Sequence, residues 1–383
     1  MEANKRKRIS EIKKYNLKKY RELKQKNRRK NVPEAEYVTS IKNKDNLIEI
    51  ENLHTYFYTD VGTVKAIDGV TFDIPIGKTV GVVGESGCGK SVTSLSIMRI
   101  LQEPQGQIAS GQIRYNQLEQ SRAIDLTKLP INEMRYIRGG EISMIFQEPM
   151  TSLNPVFTVG KQLDEAIELH DTFKSRNDIE EHSINMLKMV GIANAEGVYR
   201  MYPHELSGGM RQRVIIAMAL ACNPKLIIAD EPTTALDVTV QAQILDLLRS
   251  LKSKINASIM LITHDLGVVA EMADYVVVMY AGRIIEKGTA SDIFHSPAHP
   301  YTIGLMKSRP SMKEGQEKLY SIPGNVPSPI DLPDYCYFRN RCSSCLHVCD
   351  GKYPEMVSLS DTHKVSCYLY DNNNDGVVNV NER

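Results

Sequence analysis

The chain has 383 residues, of which 42% are hydrophobic and 24% are charged, with 24 Gly and 17 Pro. This composition is ordinary for a folded protein of two or three domains, and it excludes a short peptide, a fibrous repeat and a mainly disordered chain. The net charge is +1, but residues 1–30 hold 14 Lys and Arg against three Glu, so the rest of the chain is acidic.

The longest apolar run, from Val214 to Cys222, has nine residues, whereas a membrane span needs about 18. The basic N-terminal stretch also lacks the apolar segment of a secretory signal, so we expect the chain to stay in the cytosol.

The predicted elements begin after a basic N-terminal extension, residues 1–45. Short apolar, β-branched or alternating runs predict strands at 47–50, 70–74, 79–83, 226–229, 259–263 and 275–280. Helical patterns occur at 162–170, 179–190 and 238–252. Strands that alternate with helices predict an α/β fold with a mostly parallel sheet covered on both faces.

The domain organisation follows from these patterns. Residues 46–296 form the main domain, with a helical subdomain inserted at about 97–206. Residues 297–370 are rich in Pro and Cys and predict a small appended C-terminal domain, and residues 371–383 are a polar tail.

Residues 84–91 read Gly-Glu-Ser-Gly-Cys-Gly-Lys-Ser and fit the phosphate-binding loop G-x-x-x-x-G-K-[ST], directly after a predicted strand. Its glycines permit backbone N–H groups to turn toward phosphates, and the following helix adds positive charge at its N-terminus. Lys90 would bridge the β- and γ-phosphates, and Ser91 would offer its hydroxyl to Mg²⁺. The predicted nucleotide contacts of this loop are Gly84, Ser86, Gly87, Cys88, Gly89, Lys90 and Ser91.

Two carboxylates follow the apolar run 226–229. Asp230 and Glu231 end a predicted buried strand, where carboxylates are costly unless they meet a cation or move a proton. We expect Asp230 on the Mg²⁺ side and Glu231 to polarise the attacking water. An acidic turn before Pro232 is the alternative interpretation.

Further motifs stand in a fixed order around these residues. The segment Leu-Ser-Gly-Gly-Met-Arg-Gln occupies 206–212, Gln147 lies within Ile-Phe-Gln-Glu-Pro, Ala-Leu-Asp occupies 235–237, and His264 follows Leu-Ile-Thr. Over about residues 46–290 the chain resembles the ATPase subunits of ABC transporters, whose signature, Q-loop, D-loop and switch histidine these motifs match. The resemblance implies a P-loop ATPase of ABC type with an antiparallel β subdomain and an inserted helical subdomain.

The resemblance also implies roles for single residues. Gln147 and His264 would join Glu231 in catalysis, and Gln147 would share Mg²⁺ with Ser91 and Asp230. Adenine would stack on Phe57, with Tyr56 and Tyr58 as alternatives. Residues Ser207, Gly209 and Asp237 would contact the nucleotide held by a second ATPase subunit in a head-to-tail dimer.

Two segments resemble importers of oligopeptides or dipeptides more narrowly. They are Thr-Ser-Leu-Asn-Pro at 151–155 and His-Pro-Tyr-Thr at 299–302. The resemblance implies a peripheral subunit on the cytoplasmic face of the membrane. Its expected partners are a second ATPase subunit, two permease subunits and an extracytoplasmic solute-binding protein. The rival reading is an ABC ATPase that acts on the ribosome or nucleic acid, which the basic N-terminus would suit.

Five cysteines crowd into the C-terminal region, which in a reducing compartment favours metal over disulfides. The spacing of Cys336, Cys342, Cys349 and Cys367 leaves a [4Fe-4S] cluster, zinc and free thiols open, with Cys345 as a spare. Some peptide-importer ATPases have a similar set, and this resemblance favours the cluster.

Two terminal segments carry further hypotheses. The spacing of residues 371–382 matches a calcium loop, but no helix follows it, so a disordered tail is favoured. We expect the N-terminal extension to be a mobile polybasic segment that binds anionic lipid, with a solvated charge run as the alternative.

Overall fold

The computed structural model describes residues 2–147, 152–170, 175–234, 237–308 and 320–371, with side chains from residue 10 onward. The strands are β1 Val38–Thr39, β2 Asn46–Tyr58, β3 Thr63–Pro75, β4 Thr79–Val83, β5 Gly106–Gln117, β6 Arg122–Asp125, β7 Ile142–Ile145, β8 Leu226–Asp230, β9 Ser258–Ile262, β10 Tyr275–Tyr280, β11 Arg283–Thr289, β12 Val357–Ser358 and β13 Lys364–Val365.

The α-helices are α1 Glu2–Asn27, α2 Glu34–Tyr37, α3 Lys90–Ile97, α4 Met134–Ile137, α5 Val159–Glu168, α6 Arg176–Met189, α7 Ala195–Arg200, α8 Gly208–Leu220, α9 Val238–Ile255, α10 Leu266–Met272, α11 Ala290–His295 and α12 Pro300–Lys307. Short 3₁₀ helices lie at Leu118–Gln120, Pro203–Glu205, Arg339–Arg341, His347–Asp350 and Tyr368–Tyr370.

Two sheets form the framework. An antiparallel sheet has the order β1-β6-β5-β2-β3, and an eight-stranded sheet has the order β12-β13-β11-β10-β4-β9-β8-β7. Strands β10, β4, β9, β8 and β7 pair in parallel, whereas β11, β13 and β12 add an antiparallel edge. The predicted α/β fold with a largely parallel sheet is confirmed.

The centre of the large sheet is buried on both faces. Every residue of β4, β8 and β9 is buried, which explains why these strands read as continuous apolar, β-branched runs rather than as alternating ones. One face packs against the antiparallel sheet, and the other packs against helices that include α8 and α9. This packing fixes the carboxyl ends of the parallel strands, where the predicted site residues lie.

The helical insertion begins later than predicted. Residues 106–145 contain strands β5, β6 and β7 rather than helices, and the helices α5, α6 and α7 that pack together lie between residues 159 and 200. The boundary at residue 97 was therefore wrong. Strand β5 contains two Gly and several polar residues, and its buried residues do not alternate with exposed ones, so the sequence shows no clear strand period there.

The C-terminal segment is not a separate domain. Its strand β13 pairs with β11 and so extends the large sheet. Tyr337 and Phe338 share one buried cluster with Tyr280 of β10 and Tyr301 of α12. The predicted appended domain is therefore corrected to an extension that shares the core of the ATPase sheet.

The N-terminal extension is also ordered differently from the expectation. Helix α1 lies against β2 and β5, and Asn16 is buried, with its amide nitrogen 2.6 Å from the carbonyl oxygen of Thr59. The side chain of Asn27 donates to the carbonyl of Ile108 at 3.1 Å. The expected mobile segment is instead a helix that docks on the antiparallel sheet.

Within the described ranges, the helices were also searched for membrane spans. None of them combines the length and apolar character that crossing a bilayer requires.

Candidate nucleotide site

The phosphate loop connects β4 to α3 in the way the motif requires. Gly84 has a φ of 152°, and a Cβ there would come within 2.2 Å of the carbonyl oxygen of Met279. Gly89 caps α3 with a φ of 105°, and a Cβ there would lie 2.5 Å from the carbonyl oxygen of Ala66. Because backbone closes in on both positions, only glycine can hold the loop in this shape.

Residues of the phosphate loop differ in their exposure to solvent. Ser86 and Gly87 are exposed at its tip, whereas the side chain of Cys88 lies in the hydrophobic core. Burial raises the pKa of the Cys88 thiol, so this side chain is a neutral packing group. A nucleotide contact by Cys88 would have to use its backbone N–H.

Lys90 and Ser91 lie at the start of α3, which contacts β8. The Lys90 ammonium donates to the carbonyls of Gly84 at 2.7 Å and Glu85 at 3.1 Å. The hydroxyl of Ser91 donates to Asp230 at 3.0 Å. The three functional groups predicted to hold a metal-nucleotide complex therefore sit together.

Asp230 is a buried carboxylate. Burial raises its pKa, as does the nearby charge of Glu231, and the hydrogen bond from Ser91 opposes them. A carboxylate this buried is stabilised by a cation, and its partners are hydroxyl oxygens that suit Mg²⁺. Ser91, Asp230 and Gln147 would hold Mg²⁺, which when bound would neutralise phosphate charge.

Glu231 collects three side chains around its carboxylate. Gln147 donates to Oε2 at 3.0 Å, Thr234 donates to the same oxygen at 2.9 Å, and Nδ1 of His264 lies 3.2 Å from Oε1. Burial acts to raise the pKa of Glu231, but the hydrogen bonds from His264 and Thr234 outweigh it and lower the pKa. The carboxylate is thus ionised and oriented, which suits a group that positions water.

Strand order explains why these residues meet. Gln147, Glu231 and His264 follow the carboxyl ends of β7, β8 and β9, which are neighbours in the parallel sheet. Glu231 has a φ of 47° and donates its N–H to the carbonyl of Ile262, so its backbone is fixed in an uncommon conformation.

The aromatic residues of β2 differ in how firmly they are held in the sheet. Tyr56 donates its hydroxyl to Asp68 at 2.7 Å, which ties it to the sheet. Phe57 is partly exposed and lies beside Gly106, where a Cβ would approach its ring to 2.9 Å. Tyr58 is partly exposed as well, so Phe57 stays the proposed adenine platform with Tyr58 as the alternative.

Comparison with known proteins extends these observations. A family model described as ABC transporter matches residues 67–234, and one described as oligopeptide/dipeptide transporter, C-terminal region, matches residues 285–349. The oligopeptide transport ATP-binding protein AppD of Bacillus subtilis is 50% identical over 325 residues, which cover 85% of this chain and 97% of that protein. The chain belongs to the family of ABC transporter ATP-binding subunits.

Other matches agree with this assignment. The dipeptide transport ATP-binding protein DppD of Bacillus subtilis is 49% identical over 327 residues, which cover 85% of this chain and 96% of that protein. Among solved structures, the dimeric ABC transporter cassette MJ0796 matches at 26% identity and a TM-score of 0.56, over 63% of this chain and 98% of that chain.

The remaining motifs of this ABC subunit lie at exposed helix N-termini. Ser207 caps α8 and accepts from the N–H of Met210 at 3.3 Å, and Asp237 caps α9. Gly209 is partly exposed near the start of α8. Residues 235–236 of the D-loop and Thr151 lie outside the described residues.

Sequence reasoning missed two residues that hold the phosphate loop. The hydroxyl of Tyr301 accepts from the N–H of Glu85 at 2.8 Å, and Arg341 forms an ion pair with the Glu85 carboxylate. Tyr301 lies in the segment 299–302 singled out by resemblance, so a signal existed for it. Arg341 had none, because it is 256 residues from its partner.

The cysteines lie near one another without forming a metal site. In the described part of the chain, no group of three or more His, Cys, Asp or Glu side chains is placed to hold a metal ion. Burial raises the pKa of Cys336 to about 11 and that of Cys367 to about 12. The N–H of Cys336 donates to the carbonyl of Cys349, and none of the five cysteines is in a disulfide. The arrangement does not support the expected iron–sulfur cluster.

Most residues of the calcium-loop hypothesis lie outside the described residues. Of the residues that match its spacing, only Asp371 belongs to the described part of the chain.

Proposed function

We propose that this chain is the ATP-hydrolysing subunit of an importer for oligopeptides or dipeptides. The observation that carries the proposal is the convergence of Lys90, Ser91, Asp230 and Glu231 on one edge of the sheet. The match of residues 285–349 to the C-terminal region of peptide transporters supports the solute class.

The site residues have separate roles in ATP hydrolysis. Lys90 would leave the carbonyls of its own loop to bind the β- and γ-phosphates of ATP. Glu231, held ionised by its hydrogen bonds, would accept a hydrogen bond from the attacking water and align it with the γ-phosphate. Gln147 and His264 orient that carboxylate, and His264 is exposed enough to reach a phosphate oxygen.

A second ATPase subunit completes the proposed assembly. Ser207, Gly209 and Asp237 lie at exposed helix starts, where N–H groups and the helix dipole favour an anion. Ser207 would bind the γ-phosphate of a nucleotide held by the other subunit. Gly209 would leave room for it, and Asp237 would contact the same nucleotide. The dimeric MJ0796 cassette supports such pairing by analogy.

The finer assignments follow from the same family. The dimer would dock on two permease subunits at the cytoplasmic face of the membrane and be served by an extracytoplasmic solute-binding protein. An iron–sulfur cluster is left out, because the cysteines do not fit one as they are placed. Iron and acid-labile sulfide analysis of anaerobically purified protein would reverse that exclusion if both were stoichiometric.

Fractionation and uptake test the proposal. The full chain should sediment with membranes together with permease subunits, and deletion of its gene should abolish uptake of a labelled peptide. The variant Glu231→Gln should fail to restore uptake although it binds ATP. Sedimentation with ribosomes, with normal peptide uptake in the deletion strain, would favour the rival ABC ATPase.

A further inference from the structure

Glu85, the second residue of the phosphate loop, is held from outside the nucleotide-binding elements. Its carboxylate accepts two hydrogen bonds from Arg341, at 2.7 Å from Nη1 to Oε2 and 3.0 Å from Nη2 to Oε1. This is a bidentate pair, the strongest common geometry between a guanidinium and a carboxylate. Its backbone N–H is held separately by Tyr301.

Each nitrogen of the Arg341 guanidinium donates a hydrogen bond. Its side chain is only 5% exposed, and Nε donates to the carbonyl of Pro323 at 3.0 Å. Nη1 also reaches the hydroxyl of Tyr280 at 3.3 Å, and Nη2 reaches the carbonyl of Ile322 at 3.3 Å. The guanidinium therefore ties the phosphate loop to strand β10 and to the C-terminal segment at once.

An aromatic cluster supports this connection. The rings of Tyr280 and Tyr301 lie 4.8 Å apart, and the ring of Phe338 lies 5.3 Å from Tyr280 and 5.5 Å from Tyr301. All three residues are buried. These packed rings restrict the movement of the side chains around Arg341, so the guanidinium is held in place against Glu85.

The negative charge of Glu85 is the reason why its contact with Arg341 affects phosphate binding. A carboxylate in a loop that must bind phosphates repels them, and the Lys90 ammonium lies 3.1 Å from the Glu85 carbonyl. A released carboxylate would compete with the phosphates for Lys90. The bidentate pair neutralises the carboxylate and turns it toward the C-terminal segment.

We propose that Arg341 is a positioning residue for ATP binding, through which the C-terminal segment controls the shape and charge of the phosphate loop. The inference rests on the nucleotide site proposed above. It gives the C-terminal segment a direct part in the ATP cycle in addition to its place at the sheet edge.

The test is a double-mutant cycle on the full chain, with Mg²⁺ and a fluorescent N-methylanthraniloyl ATP as the probe. Arg341→Met should weaken binding by about tenfold, the effect of losing one charge-assisted interaction. In the Glu85→Gln background, the same change should cost less than about twofold, because no carboxylate is then released. Arg341→Lys keeps the charge but loses the bidentate geometry, so its affinity should lie between that of the wild type and that of Arg341→Met.

The matched control is Arg339→Met, in the same 3₁₀ turn. Arg339 pairs with Asp350 instead of the phosphate loop, so its loss should leave nucleotide affinity unchanged. In steady-state hydrolysis, Arg341→Met should raise the KM for ATP while kcat changes less than about twofold, a split that general unfolding would not produce. Thermal unfolding without nucleotide shows whether each variant folds.

Three results would overturn the proposal. The first is that Arg341→Met binds the nucleotide as tightly as the wild type. The second is that Arg341→Met loses as much affinity in the Glu85→Gln background as in the wild type. The third is that the control Arg339→Met loses as much affinity as Arg341→Met. If Arg341→Met does not fold, the cycle with Arg341→Gln, which also removes the charge, and Glu85→Gln decides, and additive effects refute the coupling. If the wild type itself binds no nucleotide, the proposed function fails instead.

Discussion

Replacing Glu231 by Gln removes the negative charge of this side chain but keeps its shape. One carboxylate oxygen accepts from Gln147 and Thr234, and the other faces Nδ1 of His264. A Gln amide can place its oxygen where Oε2 now lies and donate its N–H to an unprotonated Nδ1. The three contacts can therefore survive, while the negative charge that polarises water is lost.

We expect the variant to bind ATP with nearly wild-type affinity and to hydrolyse it about 10²–10⁴-fold more slowly, the usual contribution of a general base. This corresponds to about 3 to 5 kcal/mol of transition-state stabilisation. The assay is steady-state phosphate release, alongside equilibrium binding of the same nucleotide.

The matched control is Glu271→Gln, since Glu271 is exposed and pairs with Arg249 on the surface. It should hydrolyse ATP at the wild-type rate. A Glu231→Gln variant that hydrolyses within about threefold of the wild type would refute the assigned role. A parallel loss of ATP affinity would show that the carboxylate has a structural role as well.

Three further predictions concern the nucleotide, the core and the N-terminus. Lys90→Ala should reduce ATP affinity by about a hundredfold in equilibrium binding, since the phosphates lose their ammonium partner, and near-normal affinity would contradict this. Burial acts to raise the pKa of Asp68, but its hydrogen bonds and the charge of Arg283 hold the pKa well below its usual range. Asp68→Asn should therefore lower the free energy of unfolding in urea by about 3 kcal/mol, and the wild type should lose that stabilisation as the pH falls below about 4. Deleting residues 1–27 should weaken flotation with anionic vesicles at low salt but not at high salt, and equal flotation of both forms would remove the lipid hypothesis.

Much of the nucleotide site could be predicted because its motifs are local. Residues 84–91 fold as one strand, loop and helix start, and the apolar run before Asp230 marks a buried strand without help from distant contacts. Parallel strands bring their carboxyl ends to one edge, so the predicted strands 226–229 and 259–263 are enough to bring Glu231 and His264 together. Gln147 was expected there only from the family resemblance, because strand β7 was not predicted.

The errors lie where distant packing decides the structure. The basic run of α1 has no strong apolar stripe, and polar contacts, among them those of Asn16 and Asn27, hold it on the sheet. The C-terminal strand β13 is two residues long and joins the sheet by pairing with β11 and β12. Local patterns carry no information about either contact.

The register of β7, β8 and β9 bears on how such a chain tolerates insertions and deletions. Ile145 pairs with Ala229, and Ala229 pairs with Leu261, although long stretches of sequence separate them. A loop inserted between α5 and α6 would leave these pairings intact, whereas one extra residue within β8 would turn Glu231 away from its partners. Length variation among related subunits should therefore collect in the helical region and at the chain ends, and the strands that carry the site should keep a constant length.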